Sequence, residues 1–158
     1  MTAGIVIRAY GRPITQGSKI KTRHGLVDDN AKTLKPWRNT VRLAAEDTVR
    51  YQDPYTGPVF VRITFVLERP KSHYRPGRNS QLLRDNAPAY PIARGSGDND
   101  KFQRACFDAL TDARVWDDDV QVVDIRARKV WAGESEHGLD RAGVRIEVIP
   151  LVEQEVLA

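Results

Sequence analysis

Five aspartates stand out in the second half of the chain: Asp98 and Asp100 are separated by one residue, and Asp117, Asp118 and Asp119 are consecutive. Ionised carboxylates offer oxygen acceptors only, the donor set that hard cations such as magnesium take when they sit between acidic side chains and phosphate oxygens. Spacing alone leaves a second reading open, in which Asp98 caps a helix and residues 117–119 form a solvated acidic loop. Arg104 stands four residues after Asp100, one helical turn along the same face, where it either pairs with that carboxylate or meets a phosphate. Cys106 falls on an apolar stripe and reads as core, while His24, His73 and His137 are scattered with no metal-ligand spacing.

The elements that must position these groups are legible from periodicity. Phe102, Ala105, Cys106, Ala109, Leu110 and Ala113 make a helical stripe, with Asp98 or Asn99 as its N-cap. At about 1.5 Å per residue the two ends of such a helix lie roughly 15 to 20 Å apart. The two carboxylate groups therefore cannot meet across it. They meet only if the following strand runs back beside the start of the helix, or if another subunit supplies the second group. That strand is expected over residues 120–131, and a last one where Val144, Ile146 and Val148 alternate with Arg145 and Glu147, the two joined by a polar loop over 132–141.

Upstream, Ile5, Ile7 and Ala9 predict a first strand, and KIKTRHGLVDDN at 19–30 a short basic hairpin or a mobile loop. Trp37, Val41, Ala44, Ala45 and Thr48 predict a helix from Trp37 to about Tyr51 with Pro36 in its first turn. After a dense turn signal at 53–58, Val59, Val61, Ile63, Phe65 and Leu67 alternate in the best strand of the sequence. Residues 70–97 form a long Pro/Gly/Arg-rich basic loop with no sustained period. The order β, α, β, α, β, β predicts a single α+β domain over 1–158, a small mixed β-sheet with two main helices, ending in a C-terminal tail at 150–158. Phe60, Val66, Val122 and Val130 are expected on faces that one subunit does not cover, which points to a homodimer.

Composition limits the partners. The 158 residues carry a formal net charge of +4, but residues 1–94 hold 17 of the 25 basic and 7 of the 21 acidic groups, so a half of net charge +10 precedes one of −6. Such a surface attracts polyanions while holding a local carboxylate cluster that a polyanion alone would oppose. One cysteine excludes an internal disulfide and a cysteine-based zinc site. No stretch approaches a membrane span and no signal-like segment is visible, so a soluble, cytoplasmic protein is expected, with no membrane partner.

The segment GDNDKFQRACFDALTDARVWDDDVQVVD, together with GSKIKTR, Trp37-Arg38 and Arg69-Pro70-Lys71, resembles the RusA family of Holliday junction resolvases, often encoded by phages or prophages. The matching blocks extend over most of residues 4–149. The resemblance implies an α+β, RusA-like endodeoxyribonuclease that resolves four-way DNA junctions by paired symmetric nicks, as a homodimer, in a bacterial or phage-infected cell. It implies that Asp98, Asp100 and Asp119, with Asp118 beside them, bind catalytic Mg2+, with Mn2+ as a possible substitute, and that Arg104 assists at the scissile phosphate. Relatives often carry lysine at that position; arginine keeps the charge but is no proton donor at ordinary pH. Lys101 takes the place of an asparagine found in some members. Lys19, Lys21, Arg23, Lys35, Arg38, Arg69, Lys71, Arg75, Arg78 and Lys101 are expected to hold the junction arms through phosphates. The competing readings are a junction-binding module of the same fold without cleavage, and a metal-dependent phosphohydrolase of small nucleotides. Retention of the three aspartates argues against the first, and the breadth of the basic half against the second.

Overall fold

The computed structural model describes residues 4–17, 19–28 and 30–152. The alternating segments form the strands expected of them: β1 (Ile5–Tyr10), β2 (Lys19–Thr22), β3 (Gly25–Asp28), β4 (Val59–Leu67), β5 (Val122–Trp131) and β6 (Gly143–Pro150), with helices α1 (Ala31–Thr48) and α2 (Asn99–Asp112). Four strands make one mixed sheet in the order β1-β6-β4-β5, antiparallel except for the parallel β4–β5 pair, and β2 and β3 pair separately as a hairpin. The basic 19–28 segment is thus the hairpin and not a loop. The expected tail begins after β6, and residues 153–158 lie outside the described set.

One face of the sheet carries the core. Val59, Val61, Ile63, Phe65 and Leu67 of β4 alternate toward the helices and pack with Ile7, Ala9, Val144, Ile146 and Val148 from β1 and β6. On α1 the stripe is Leu34, Trp37, Val41 and Ala45; on α2 it is Phe102, Ala105, Cys106, Ala109 and Leu110. The alanines and the cysteine keep α2 slim where it crosses α1 and the sheet. Cys106 is fully buried and burial pushes its thiol up to about 12, which makes it an inert core residue.

Two expectations need correction. Helix α1 begins at Ala31, not Trp37, because the Asn30 carbonyl accepts from the N–H groups of Thr33 and Leu34, and Leu34 already belongs to the buried face. Pro36 therefore sits inside the helix on its exposed side, where its ring removes one intrahelical donor. Val66 and Val130 are not left for a partner to cover, since they pack with Leu139 from the 132–142 loop and are 0% and 3% exposed. Phe60 and Val122 are half-buried. The exposed large apolar side chains near β5 are instead Val120, Val123 and Ile125, on and beside the edge strand. Residues 70–97 remain largely irregular, with three single 3-10 turns and one isolated bridge between Tyr74 and Leu83. No helix among the described residues is long and apolar enough to cross a membrane.

Candidate active site

Asp98 occupies the N-cap position of α2 in an extended conformation, yet its carboxylate accepts no hydrogen bond from the helix N–H groups. It is 63% exposed and pairs with Lys101 Nζ at 3.4 Å. The reading of Asp98 as a side-chain cap is therefore not what the fold uses it for. Asp100 lies in the first turn, exposed, with no ion pair among the described residues. The chain reaches this point through Gly97, whose φ of +99° puts it in the region that favours glycine; a Cβ there would lie 2.4 Å from the Phe102 ring. The two carboxylates face solvent at a helix N-terminus, where negative charge is favoured.

Asn99 holds this turn against the sheet. Its Nδ2 donates to the Ala127 carbonyl of β5 at 3.1 Å, and its Oδ1 accepts from Gln103 Nε2 at 2.9 Å. From the other side, Gln16 N donates to the Lys101 carbonyl at 3.0 Å, and Gly17 passes so close that a Cβ on it would stand 3.2 Å from Lys101 Cγ and 3.4 Å from Arg104 Nη1. The basic hairpin that follows Gly17 is thereby rooted beside Lys101 and Arg104. Arg104 is exposed and makes no ion pair with Asp100 among the described residues, so its charge is available to an anion.

The second acidic group is a rigid turn. Arg114, at φ 61°, closes α2, and the buried Trp116 donates from Nε1 to Thr111 Oγ1 at 2.8 Å. Asp118 then caps the 3-10 turn 119–121: its Oδ1 accepts from Val120 N at 2.9 Å. Gln121 completes the capping box, accepting from the N–H groups of Asp117 and Asp118 with Oε1 and donating from Nε2 to the carbonyls of Tyr55 and Gly57. Asp119 is left projecting beside Asp118, and its pKa is raised, first by partial burial and then by the neighbouring carboxylates of Asp118 and Asp108. In the sequence Asn99 stands out only as a possible N-cap, and Gln121 has no role of its own. The Asp-x-x-Gln and Asn-x-x-x-Gln spacings are the signals that could have found them.

The two groups do not meet within one chain. Strand β5 does run back beside the start of α2, but what arrives there is Ala127, the middle of the strand. Asp119 precedes β5 and lies within electrostatic reach of Asp108, which stands eight residues or about 12 Å of helix rise beyond Asp100. Among the described residues no group of three or more His, Cys, Asp or Glu is placed to hold a metal. Asp98 and Asp100 alone fit a hard cation that keeps several waters and binds through one or two carboxylates and a substrate phosphate.

The expected phosphate contacts divide. Lys21, Arg23, Lys35, Lys71 and Arg78 are exposed, and the Lys19 side chain lies outside the described set. Arg38 is half-buried between the helices, 3.7 Å from Asp108 and 3.6 Å from Asp112. Arg75 pairs with Asp85 at 3.0 Å. Arg69 is the exception: its side chain is 4% exposed and its guanidinium is taken by Glu134, by the Pro88 carbonyl and by the face of Trp131. It ties the 70–97 and 132–142 segments together and has no fork left for a phosphate.

The model of the family described as endodeoxyribonuclease RusA matches residues 11–147 of the chain. It spans both carboxylate groups, the basic hairpin and all of the core helices. No curated protein matches the chain.

Proposed function

The chain belongs to the endodeoxyribonuclease RusA family, and from that footing we propose that this endonuclease acts as a metal-dependent homodimer that resolves four-way DNA junctions by paired nicks. The observation that carries the proposal is the separation of Asp119 from Asp98 and Asp100 by about eight residues along α2. A second copy related by two-fold symmetry brings its own Asp119 to the first copy's Asp98–Asp100 pair, and receives the reciprocal contribution at the other site. Val120, Val123 and Ile125 flank the acidic turn on the open edge of the sheet, which gives the second copy an apolar strip to cover.

Magnesium or manganese would be held by Asp98 and Asp100 of one subunit with Asp119 of the other, and when bound it supplies positive charge at the phosphate and a more acidic water. The chain's own residues do the rest. Asp98 is kept oriented by Lys101, and the Asp98–Asp100 turn is kept at its height on the sheet by Asn99. Arg104 places a permanent positive charge next to that turn, suited to the phosphate's non-bridging oxygens, where negative charge grows during attack. A guanidinium does not release its proton at ordinary pH, so the leaving oxygen takes its proton from elsewhere. Lys21 and Arg23 on the hairpin, with Lys35 on α1, hold the backbone of the strand leading into the site.

The test is cleavage of a synthetic four-way junction and a matched linear duplex with and without magnesium. Symmetric nicks on the junction, in magnesium only, are the expected result. Equal cutting of duplex, or cutting of the junction in chelator, would overturn it.

A further inference from the structure

The helices cover only one face of the sheet, and the other face carries an arrangement that the site does not use. In register across the strands lie Arg8, Arg145, Thr64 and Arg128, and in the next row Glu147, Arg62 and Arg126, with Asp124 opposite Phe60 one row further. Five arginines thus share a face with two carboxylates. Arg8 stands directly opposite Arg145, and Arg62 directly opposite Arg126. Like charges directly opposite in a sheet are destabilising. A face that needed only solubility would carry threonines or alternating signs.

From this placement we infer that the helix-free face of the sheet is a second phosphate-binding surface, which takes the sugar–phosphate backbone of duplex DNA through Arg8, Arg62, Arg126, Arg128 and Arg145. The inference rests on the reading of the chain as a DNA-junction nuclease and names a contact surface for it outside the active site.

Three of the guanidiniums are anchored within the face, the Arg145 and Arg62 side chains 17% and 30% exposed. Glu147 pairs with both Arg145 and Arg62, the latter at 3.6 Å, and the Arg145 contact keeps its carboxyl below the usual carboxylate range, so it stays charged and fixes their directions. Arg62 also lies over the Phe60 ring, 5.9 Å from its centre, and Arg128 donates to Ser135 Oγ at 2.9 Å. Thr64, between Arg145 and Arg128, is 1% exposed in the middle of a polar face, as expected where long arginine stems lie over it. Arg8 and Arg126 are exposed and make no ion pair among the described residues. The row from Arg8 to Arg128 crosses three strand spacings, about 14 Å. That length of duplex presents roughly eight phosphate charges.

Residue type points the same way. All five cations are arginines, whose planar forks match phosphate oxygens, and the one lysine of β5, Lys129, turns to the opposite face to bond Ser96 Oγ and the Gly97 carbonyl. Because Arg126 and Arg128 flank Ala127, against which Asn99 sets the active-site turn, the surface lies on the reverse of the strand that carries the site. A duplex seated there is therefore a different arm from the one being cut.

The experiment compares the unaltered protein with the R8Q/R126Q variant, measuring binding to a four-way junction and to linear duplex in chelator over a range of sodium chloride concentrations. The slope of log affinity against log salt should become shallower by about 2, and affinity at moderate salt should drop roughly tenfold or more, with the melting temperature equal or higher. An unchanged slope and affinity would overturn the inference. So would an unchanged affinity with a loss of dimer in ultracentrifugation, which would make the face a contact between copies. Failure of the unmodified protein to nick junctions in magnesium would count against the proposed function alone, because the slope difference is read without cleavage.

Discussion

Asn99 and Ala127 are joined by a hydrogen bond of 3.1 Å from the side chain of α2's first residue to the backbone of β5, and this contact fixes where each acidic group lies. Helix and strand run antiparallel, so the pair Asp98–Asp100 is opposite the middle of β5 while Asp119 stays before its start, about 12 Å or more of helix rise away. On the proposed reading, a catalytic set split in this way is incomplete in one chain and would be completed by a two-fold partner.

Arg104 should act through charge. Arg104→Ala is expected to lower the single-turnover nicking rate at least tenfold, and Arg104→Lys to retain much of it. Since Arg104 makes no ion pair with Asp100 among the described residues, neither change should lower the melting temperature by more than about a degree or two.

Gly97→Ala should be severe for its size. The added Cβ meets the Phe102 ring at 2.4 Å and is strained at φ +99°, so a loss of about 2 kcal/mol or more is expected, with reduced nicking because the Asp98 turn shifts. Thermal melting and single-turnover rates measure the two effects on one sample.

Gln121 supplies no expected ligand itself, yet four hydrogen bonds converge on it, one of them from the N–H of Asp118. Gln121→Ala should cost roughly 2 kcal/mol and move the magnesium dependence of nicking to higher concentration, because the Asp118–Asp119 turn loses its clamp. An unchanged magnesium midpoint would show that the turn does not position a ligand.

The Arg69–Glu134 pair sets part of the acid stability. The hydrogen bond from Arg69 holds the Glu134 carboxyl below its ordinary value, so this stabilisation is present above about pH 4.3 and is lost as pH falls through the depressed value. Melting curves of the unaltered protein and Glu134→Gln should be separated by a few degrees at pH 7 and converge as pH falls through the depressed value. Half of the pair is exposed, so breaking it should cost no more than about 2 kcal/mol.

How much of this was legible in the sequence depended on periodicity. The alternation of Val59 to Leu67 and the stripe from Phe102 to Leu110 are direct prints of a one-sided core, and the structure has both. The start of α1 was hidden because Leu34 is the one buried residue before Pro36, and proline reads as a beginning. The length of α2 already separated the two carboxylate groups on paper. Only the tertiary contact of Asn99 decides that β5 does not reunite them. The arginine face was invisible for a different reason: Arg8, Arg62, Arg126 and Arg145 are scattered singly along four strands, and only strand register brings them opposite one another.

The shared site can be tested by mixing two inactive proteins. Asp100→Asn and Asp119→Asn should each abolish nicking while leaving junction binding intact or stronger, since a charge facing phosphate is removed. After subunit exchange, a heterodimer has one site with Asp98 and Asp100 from one chain and Asp119 from the other all intact, and one site doubly altered. If partners supply Asp119, an equimolar mixture should recover nicking, as single unpaired nicks, at about one quarter of the site count of the unaltered protein. No recovery after verified exchange would contradict the account, because three aspartates acting within one chain leave both sites of every heterodimer defective.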